Sequence, residues 1–463
     1  MNIFIHRRDL RLVDNTTLNF ICKNKTINNI SPIFIFTPEQ IDPKINSYFS
    51  NNLVQFMCES LEELHNDYAT KNSTLNFFYG DYIKVLESIH KKYNINSVSF
   101  NVDYSPYAIK RDNNIKAWCK DNNIKCFSKE DMLLVNIIDN KNYPNEKHYE
   151  IFTHFKNYQI KNYSIKKVSK QKLINCLNKD SLFTKYSIDK SKLDTFYTKN
   201  KNIMCNGGRK KGEQKLEHIN KQDKYPTLRN NLDYETSRLS PYINLGLVSI
   251  REVFSRVEKL YGLNHSLISE LWWRDFFYNI LYRNPSVVGN AMNSKFRNIK
   301  WDNNKILFNK WKNGMTGFPI VDACMNELNK TGYLHNRGRM IVASFLTKHL
   351  FTDWKWGEKY FAQKLIDYNI SANNGGWQWT ASTGVDSHRT FYRVFNPWLQ
   401  IAKFDKDCKY TKKWLPSLKD VPNEHIKKWD KYYRKYSKID YPKPIVNHAE
   451  RRDYALNRLK SVY

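Results

Sequence analysis

The sequence predicts an α/β domain, with a parallel sheet and flanking helices, joined by a long linker to a predominantly α-helical domain. Over the first 130 residues, short apolar runs alternate with amphipathic stretches, as in a parallel sheet with crossover helices. Later in the chain, apolar residues recur at spacings of three and four, as they do on helices. We therefore expect an α/β domain at 1–130, a linker at 131–200 and a helical domain at 201–463.

Four apolar runs predict the strands of the first domain, at residues 3–5, 32–36, 75–79 and 97–100. The amphipathic stretches between them predict its helices. The first 130 residues contain a single glycine, Gly80. Because the G-x-G-x-x-G turn and the Walker phosphate loop each need several glycines, the ordinary modes of NAD and ATP binding are disfavoured.

The segment 131–200 is polar and rich in Lys and Asn. It lacks a sustained hydrophobic period, so we expect a connector that lies on the surface. Amphipathic stretches at 247–260, 266–281 and 338–351 then predict long helices. The second domain should therefore be almost entirely helical.

The chain is strongly basic, since 75 Lys and Arg against 45 Asp and Glu give a formal net charge of +30. Such a surplus favours a polyanionic partner, because each phosphate neutralised by Lys or Arg releases a condensed counterion. A solvated surface rich in Lys is the alternative explanation for part of it.

The eight cysteines are scattered, without C-x-x-C pairs or histidines at zinc spacing, so neither a metal site nor a disulfide framework is predicted. Charges at residues 7–9 interrupt the amino terminus before any signal core, and no apolar run is long enough to span a membrane. We expect an intracellular protein, cytoplasmic or nuclear rather than secreted, without membrane attachment and monomeric.

Nine of the twelve tryptophans lie between residues 272 and 398, more than ordinary packing needs. In NNGGWQWTASTG, at 373–384, two glycines allow close backbone approach to a planar group, and Trp377 and Trp379 point in different directions. One indole could line a cofactor and the other a substrate. Tryptophan as core filler beside a glycine turn is the alternative.

Two further segments place mixed side chains on one helix face. Glu270, Trp273 and Arg274 share a face at i, i+3 and i+4, which is also the pattern of a surface salt bridge beside a buried aromatic residue. In HNRGRM, Asn336 and Met340 share a face, and the alternative there is a solvated, basic helix end.

Taken in order, these motifs resemble the photolyase and cryptochrome family of flavoproteins over nearly the whole chain. The similar segments are HRRDLRLVDN at 6–15, DYSPYAIKRD at 103–112, TSRLSPYINLG at 236–246, ELWWRDFF at 270–277, the stretch at 317–346 and ANNGGWQWTASTG at 372–384. The resemblance implies an α/β antenna domain and a helical FAD-binding domain.

Within that family the chain is most similar to class I-type cyclobutane pyrimidine dimer photolyases. The branch that repairs the 6-4 photoproduct carries a histidine pair in the segment that reads LHNRGRM here, where His335 is followed by Asn336 and the segment ends on Met340. The resemblance implies light-driven repair of pyrimidine dimers in DNA, by electron transfer from excited reduced FAD to a flipped-out dimer. After the flavin turn, the stretch from Asp386 to Arg393 is expected to be one residue longer than in bacterial members.

The alternatives are a cryptochrome-type blue-light receptor without repair activity and a 6-4 photolyase. Signalling members usually carry a long tail after the flavin domain, whereas here the basic, helix-forming sequence continues to Tyr463. A basic nucleic-acid-binding protein without catalysis would need no FAD at all.

The resemblance also implies which residues bind FAD. Asn373 should face flavin N5, Arg339 and Asp367 should form a charge pair beside the ring, and Asn369 stands where many members carry an acid. The expected contacts to the phosphates and ribitol are Thr236, Ser237, Arg238, Leu239 and Ser240. Relatives carry a folate, a deazaflavin or a second flavin as antenna chromophore, and some carry none. The sequence does not identify one here.

On the substrate side, the resemblance implies that Glu270 contacts the pyrimidine edge, with a raised pKa if it donates a proton. Trp273 and Trp379 should pack against the dimer, and Met340 should form the pocket floor. The expected contacts to the DNA strand are Asn336, Arg337 and Gln400. The expected electron relay is Trp377, Trp354 and Trp301, and the expected catalytic residues are Glu270, Asn373 and Met340.

Overall fold

The amino-terminal domain is built on a six-stranded sheet. The computed structural model describes residues 1–24, 26–138, 149–169, 176–385 and 392–462. The strands are β1 (Asn2–His6), β2 (Ile30–Phe36), β3 (Asn76–Tyr79), β4 (Ser97–Asn101), β5 (Lys125–Lys129) and β6 (Ser187–Ile188), in the order β5-β4-β1-β2-β3-β6. The first five strands are parallel, and every residue of β1 and β2 is buried. Burial on both faces is expected of a parallel sheet covered by helices.

Helices flank this sheet as the sequence predicts. They are α1 (Thr16–Lys23), α2 (Pro38–Ile41), α3 (Asn51–Ala69), α4 (Tyr82–Tyr93) and α5 (Pro106–Asp121). Four of them begin at a side-chain cap, in which Asn15, Ser50, Asp81 or Ser105 accepts hydrogen bonds from the first turn. The caps fix where each crossover helix starts after its strand.

The segment 131–200 contributes regular structure as well as connection. It contains α6 (Phe152–Asn162) and the edge strand β6, whose Ile188 pairs antiparallel with Phe77 of β3. A two-residue strand has no hydrophobic period, so the sequence pattern could not indicate it. The sheet is therefore mostly parallel, with one short antiparallel strand at its edge.

The rest of the chain is helical. Its helices are α7 (Arg209–Glu217), α8 (Tyr225–Leu228), α9 (Ser240–Asn244), α10 (Ile250–Tyr261), α11 (Ser266–Arg283), α12 (Lys305–Lys312), α13 (Pro319–Thr331), α14 (Asn336–Ser344), α15 (Trp354–Lys364), α16 (Ile370–Ala381), α17 (Pro397–Phe404), α18 (Lys409–Trp414), α19 (Asn423–Lys427), α20 (Trp429–Tyr432) and α21 (His448–Lys460). A π-helical turn at Phe345–His349 follows α14. At the centre, α16 packs against α11, α14 and α15. Most of the stretch from Asp386 to Arg393, namely 386–391, lies outside the described residues.

The two domains meet through the loop that follows β1. The Leu10 amide donates to the Leu245 carbonyl at 3.0 Å. Arg251 of α10 donates to Asp14 and to Asp131, each at 2.8 Å, and Arg11 donates to Asp131 at 2.6 Å. We call Arg11, Asp14, Asp131 and Arg251 the interdomain clamp. Burial alone would raise the pKa of Asp131, but the two guanidinium groups outweigh it and hold that pKa well below its usual range.

Within the described ranges, no helix is long and apolar enough to cross a bilayer. The eight cysteines are free thiols. The same part of the chain has no group of three or more His, Cys, Asp or Glu side chains placed to hold a metal ion.

Candidate active site

Helix α16 presents one open face. Trp377 and Gln378 are buried, whereas the residues on the other face are at least partly exposed: Ala372, Asn373, Gly376 and Trp379. Those positions are spaced by three and four, so they form one stripe along the helix. A Cβ added at Gly376 would meet nothing within 4 Å. Open space therefore lies in front of this stripe at Gly376, and we call this space the hollow.

Both ends of α16 are held by buried polar side chains. At its start, Asn369 Oδ1 accepts from the amides of Ser371 and Ala372, each at 3.1 Å. Asn369 Nδ2 donates to Asn244 Oδ1 at 3.0 Å and to the Tyr278 hydroxyl at 2.6 Å. Asn369 thus uses both polar atoms to position the helix, and a flavin contact through this side chain stays a prediction.

At the end of α16, the ammonium group of Lys348 donates to the Ala381 carbonyl and to Ser382 Oγ, each at 3.0 Å. Lys348 is fully buried, and this burial lowers its pKa to about 7. A donor at the carboxyl end of a helix satisfies carbonyls that have no partner within the helix.

Asn373 is oriented by Glu358 of α15. Its Nδ2 donates to the Glu358 carbonyl at 3.0 Å and to Glu358 Oε1 at 2.8 Å. Among the described residues, no donor approaches Asn373 Oδ1, so this oxygen is available as an acceptor toward the hollow. Burial raises the pKa of Glu358.

Arg339 and Asp367 form the predicted pair. Arg339 Nη2 donates to both carboxylate oxygens of Asp367, at 3.0 and 2.9 Å, and Ser240 Oγ donates to Asp367 Oδ2 at 2.6 Å. Arg339 Nε donates to the Leu334 carbonyl at 2.8 Å, which fixes the guanidinium plane. The pair joins α14, the turn before α16 and the segment 236–240.

That segment has a backbone suited to anions. Arg238 has a positive φ of +51°, in the left-handed region, and the next residue, Leu239, is right-handed helical. Successive N–H groups in this alternation converge on one side and form an anion-binding concavity. Thr236, Ser237 and Arg238 are partly exposed, Ser240 is exposed and Leu239 is buried.

Glu270 pairs with a residue that the sequence did not single out. Its carboxylate accepts from Arg229 Nη1, and the two side chains are 35 % and 37 % exposed. Burial raises the pKa of Glu270, and Arg229 opposes that shift. Arg229 follows the short helix α8, 41 residues before Glu270, and no local pattern connects the two positions.

Trp273 and Trp379 lie on the facing helices α11 and α16. Phe152 of α6 stacks on one face of Trp273, with ring centroids 3.7 Å apart and planes 7° from parallel. Only the other face is then available for a ligand. The indole N–H of Trp379 is buried and has no hydrogen-bond partner in the part of the chain that is described, and the Arg393 guanidinium lies 5.6 Å from its ring.

The start of α14 contributes polar and sulfur groups. Asn336 Nδ2 lies 4.0 Å from Met340 Sδ, so these two predicted residues are together. Arg337 donates to Asn230 Oδ1 at 2.7 Å and lies over the Phe404 ring at 4.5 Å. Gln400 Oε1 is buried, and the described residues provide it with no donor.

His335 begins α14, because its Nδ1 accepts from the Arg337 amide at 3.1 Å. Its Nε2 is buried, with no partner from the described ranges. Burial, together with the nearby Arg339 and Arg337, lowers its pKa to about 4. The imidazole is therefore neutral at pH 7.

The three tryptophans predicted to form a relay differ in burial. Trp377 and Trp354 are each 3 % exposed, and Trp301 is half-buried. A Cβ at Gly357, one turn after Trp354, would lie 2.1 Å from Trp377 Cη2. Helices α15 and α16 are thus in close contact at Trp377, and Trp301 lines a surface pocket together with Trp354.

These features fit FAD. The alternating backbone at 238–239 and the Arg339 cation suit phosphates and a negatively charged ring. The free carbonyl of Asn373 suits a ring N–H. The unpartnered His335 Nε2 and the open space at Gly376 indicate where a bound group would find polar contacts and room.

Comparisons with known proteins agree with this geometry. Residues 267–461 match the family model described as the FAD binding domain of DNA photolyase, and residues 2–171 match the model described as DNA photolyase. A deoxyribodipyrimidine photo-lyase of Buchnera aphidicola subsp. Acyrthosiphon pisum is 36 % identical, over 99 % of this chain and 96 % of the relative.

Solved structures extend the similarity to the fold. An archaeal photolyase from Sulfolobus tokodaii, crystallised with two FAD molecules, has a TM-score of 0.85 and 38 % identity, and the match covers 100 % of both chains. A Synechocystis cryptochrome has a TM-score of 0.88 at 26 % identity, with coverage of 99 % of this chain and 98 % of its own.

An α/β domain joined to a helical FAD-binding domain, with an open face on its central helix, defines a flavoprotein of the photolyase and cryptochrome type. The sequence identity to deoxyribodipyrimidine photo-lyases over nearly the full length of the chain narrows this class of flavoproteins to the DNA photolyases. The chain belongs to the DNA photolyase family.

Proposed function

We propose that the protein repairs cyclobutane pyrimidine dimers in DNA by light-driven electron transfer. When bound and reduced, FAD supplies the excited electron that opens the cyclobutane ring and takes the electron back afterwards. The observation that carries this proposal is that Asn373 and Trp379 share the open face of α16. They are six positions apart, which is about 9 Å at about 1.5 Å per residue. One helix therefore places a flavin contact and a lesion contact side by side.

On the flavin side, Asn373 accepts the N5–H hydrogen bond of the reduced ring through Oδ1, while Glu358 holds the amide. A neutral amide keeps this role across working pH because it does not titrate. Arg339 adds positive charge beside the ring, and Asp367 orients it. The hydroxyls and backbone of 236–240 hold the phosphates and the ribitol, together with Asn369 through its helix cap.

On the substrate side, a flipped dimer enters between α11 and α16. Photolyases are among the enzymes known to extrude their target bases. Trp273 and Trp379 stack on the dimer, at about 1–3 kcal/mol for each base. Glu270 contacts the pyrimidine edge, where a carboxyl donor stabilises the charge that develops after electron arrival. Met340 lines the floor of the pocket.

The DNA strand around the lesion is bound by Asn336, Arg337 and Gln400, with Arg229 as a fourth contact. Phosphate contacts of this kind hold the strand without reading its sequence. The net charge of +30 adds affinity that does not depend on sequence. We expect the enzyme to act on DNA in the cytoplasm or the nucleus, and as a monomer.

Trp377, Trp354 and Trp301 return bound flavin to its reduced state in light, by passing electrons inward from the surface. An additional antenna chromophore, a folate, a deazaflavin or a flavin, belongs in the α/β domain. The Sulfolobus tokodaii relative, with its two FAD molecules, makes a second flavin the first to test.

A cryptochrome-type receptor shares this fold, and the Synechocystis cryptochrome favours it as the second candidate. For 6-4 repair, the positions of the acid–base pair hold Asn336 and Met340, which contact each other and cannot transfer protons. The buried His335 is engaged as a helix cap and is neutral.

The repair assay separates these functions. Protein with chemically reduced FAD is mixed with an oligonucleotide carrying one cyclobutane thymine dimer and exposed to blue light. We expect intact thymines after illumination and none in the dark, with no change in a matched 6-4 oligonucleotide. Bound, reduced flavin without dimer splitting would contradict the proposal and favour the receptor.

Changing Trp301 to Phe tests the relay. Photoreduction of oxidised flavin should slow strongly, because phenylalanine is much harder to oxidise than indole, while repair with chemically reduced FAD should be unaffected. Trp356, also half-buried and on α15, gives the matched control Trp356→Phe, which should leave both rates unchanged. Equal slowing by both variants, or loss of repair in Trp301→Phe, would contradict the relay.

A further inference from the structure

A surface pocket opens at the outer end of the tryptophan relay. Its volume is about 350 Å³, and both Trp301 and Trp354 line it. Small-molecule sites begin at about 300 Å³, so this pocket has room for a small ligand. Such a ligand would contact Trp301, the outer tryptophan of the proposed relay, which passes its electron to the inner tryptophans. None of the FAD and DNA contacts discussed above lines this pocket.

The pocket is positively charged. Its charged lining residues are Arg297, Lys300, Asp353 and Lys355, three cations against one anion. Asp353 is already engaged, since its Oδ1 accepts from the Lys355 amide at 3.0 Å as the cap of α15, and its Oδ2 lies 3.3 Å from Lys355 Nζ. Arg297 Nε donates to the Ala291 carbonyl at 3.0 Å, which holds its stem at the rim. An anionic ligand therefore meets a net positive field.

We propose that this pocket binds a small anionic one-electron reductant, of the ascorbate type, that refills the electron vacancy on Trp301. The inference rests on the proposed relay. The Trp301 radical cation gains one electron from the ascorbate monoanion and returns to neutral indole. Ascorbate becomes the ascorbyl radical anion and releases its proton to water, and the electron that Trp301 gave up stays with the photoexcited oxidised flavin that accepted it.

Two physical effects make a bound donor useful at this position. A donor already in contact with Trp301 competes with the return of the electron from the flavin, because encounter no longer limits the step. Positive charge around a concave site also raises the association rate of anions, by about 10 to 1,000-fold at low ionic strength. A neutral reductant gains from neither the field nor the site.

The first test follows the Trp301 radical by transient absorption after a light pulse, with ascorbate or with neutral hydroquinone. The variant Arg297→Gln/Lys300→Gln/Lys355→Gln removes the three cations. We expect its reduction by ascorbate to be about tenfold slower at low salt, and reduction by hydroquinone to be unchanged. In the unmodified protein, the rate should saturate with ascorbate concentration.

A matched control removes the same charge elsewhere. Lys84, Lys91 and Lys92 line a separate basic groove beside α4. Lys84→Gln/Lys91→Gln/Lys92→Gln should leave the ascorbate rate within twofold of the unmodified protein. Dimer splitting by both variants with chemically reduced FAD should be unchanged, which checks that they fold.

The second test needs neither flavin nor light. In protein labelled with 5-fluorotryptophan, ascorbate should shift the ¹⁹F resonances of Trp301 and Trp354, and the pocket variant should abolish the shift. Replacing each residue by Phe assigns its resonance.

Three results would overturn the inference. One is a strictly linear ascorbate rate, another is equal slowing with hydroquinone, and the third is an ascorbate shift that survives in the pocket variant. A missing Trp301 radical in the unmodified protein would instead overturn the relay on which the inference rests. The relay is therefore tested before any variant is made.

Discussion

At the scale of single residues, two opposing influences act on the pKa of Glu270. Burial favours its protonated form, and Arg229 favours the carboxylate. In the proposed repair, a flipped base would exclude more water and strengthen the influence of burial. That change favours proton donation from Glu270 to a pyrimidine oxygen.

We predict that Glu270→Ala weakens dimer binding by about 0.5–1.5 kcal/mol, the usual net contribution of a hydrogen bond between neutral groups, and lowers the splitting efficiency. Because the Glu270 pKa is raised, repair should decline as pH rises through that pKa and the donor is lost. Glu270→Gln donates at every pH, so its repair should lack this decline. Quantum yields measured across pH test both statements, and the same decline in Glu270→Gln would show that another group titrates.

Single residues also mark the limit of sequence analysis at the site. Asn336 and Met340, four apart on one helix face, could be placed together from spacing alone, and the structure brings them together. Arg229 beside Glu270 and Phe152 on Trp273 were not predicted. These contacts join residues far apart in the chain, and local periodicity carries no signal for them.

At the scale of elements, adjacent glycines of α16 face opposite environments. A Cβ on Gly375 would lie 2.2 Å from Phe277 Cδ1, whereas one on Gly376 would meet nothing within 4 Å. Gly375 therefore sets the distance between α11 and α16, and Gly376 leaves room for a ligand. Their roles cannot be read from NNGGWQWTASTG, where both simply permit close approach.

We predict that Gly375→Ala destabilises the protein by about 1–3 kcal/mol through overpacking. Gly376→Ala should instead raise the stability of the flavin-free protein by up to about 1 kcal/mol through helix propensity, while it weakens FAD binding by filling the hollow. Thermal unfolding without FAD and flavin titration measure the two effects. A Gly376→Ala variant that binds FAD normally would place the flavin on another face.

Sequence periodicity did not indicate β5, α6 or β6. The strands β1 to β4 follow from apolar runs, and helices such as α10 and α11 follow from amphipathic spacing. The edge strand β6 consists of two residues in a polar stretch, so only pairing with β3 defines it.

At the scale of the whole molecule, the interdomain clamp joins both domains through buried charge. Asp131 accepts from Arg11 and Arg251, so removal of its charge leaves Arg11 without its carboxylate partner and leaves Arg251 with Asp14 alone. We predict that Asp131→Asn destabilises the protein by about 3–5 kcal/mol. The surface pair Arg452–Asp453 provides the control Asp453→Asn, expected to cost about 0–1 kcal/mol. Denaturant unfolding measures both, and equal effects would contradict the clamp.

Asp131 also makes the stability of the folded protein depend on pH in the acid range. Because the folded pKa of Asp131 is depressed, its stabilisation is fully present above the unfolded pKa near 3.8 and is lost as pH falls below that value toward the folded pKa. Asp131→Asn should therefore remove part of the acid-side slope of stability against pH.

The clamp also constrains how α/β domains could be exchanged between relatives. A graft joined at residue 130 would import a foreign loop in place of Asp14 and leave buried Arg251 with Asp131 as its own remaining anion. A graft that carries Asp14 and Asp131 across together preserves the neutralising set. The junction of such chimaeras should therefore lie after residue 131, whereas the composition of the sequence alone places the domain boundary at residue 130.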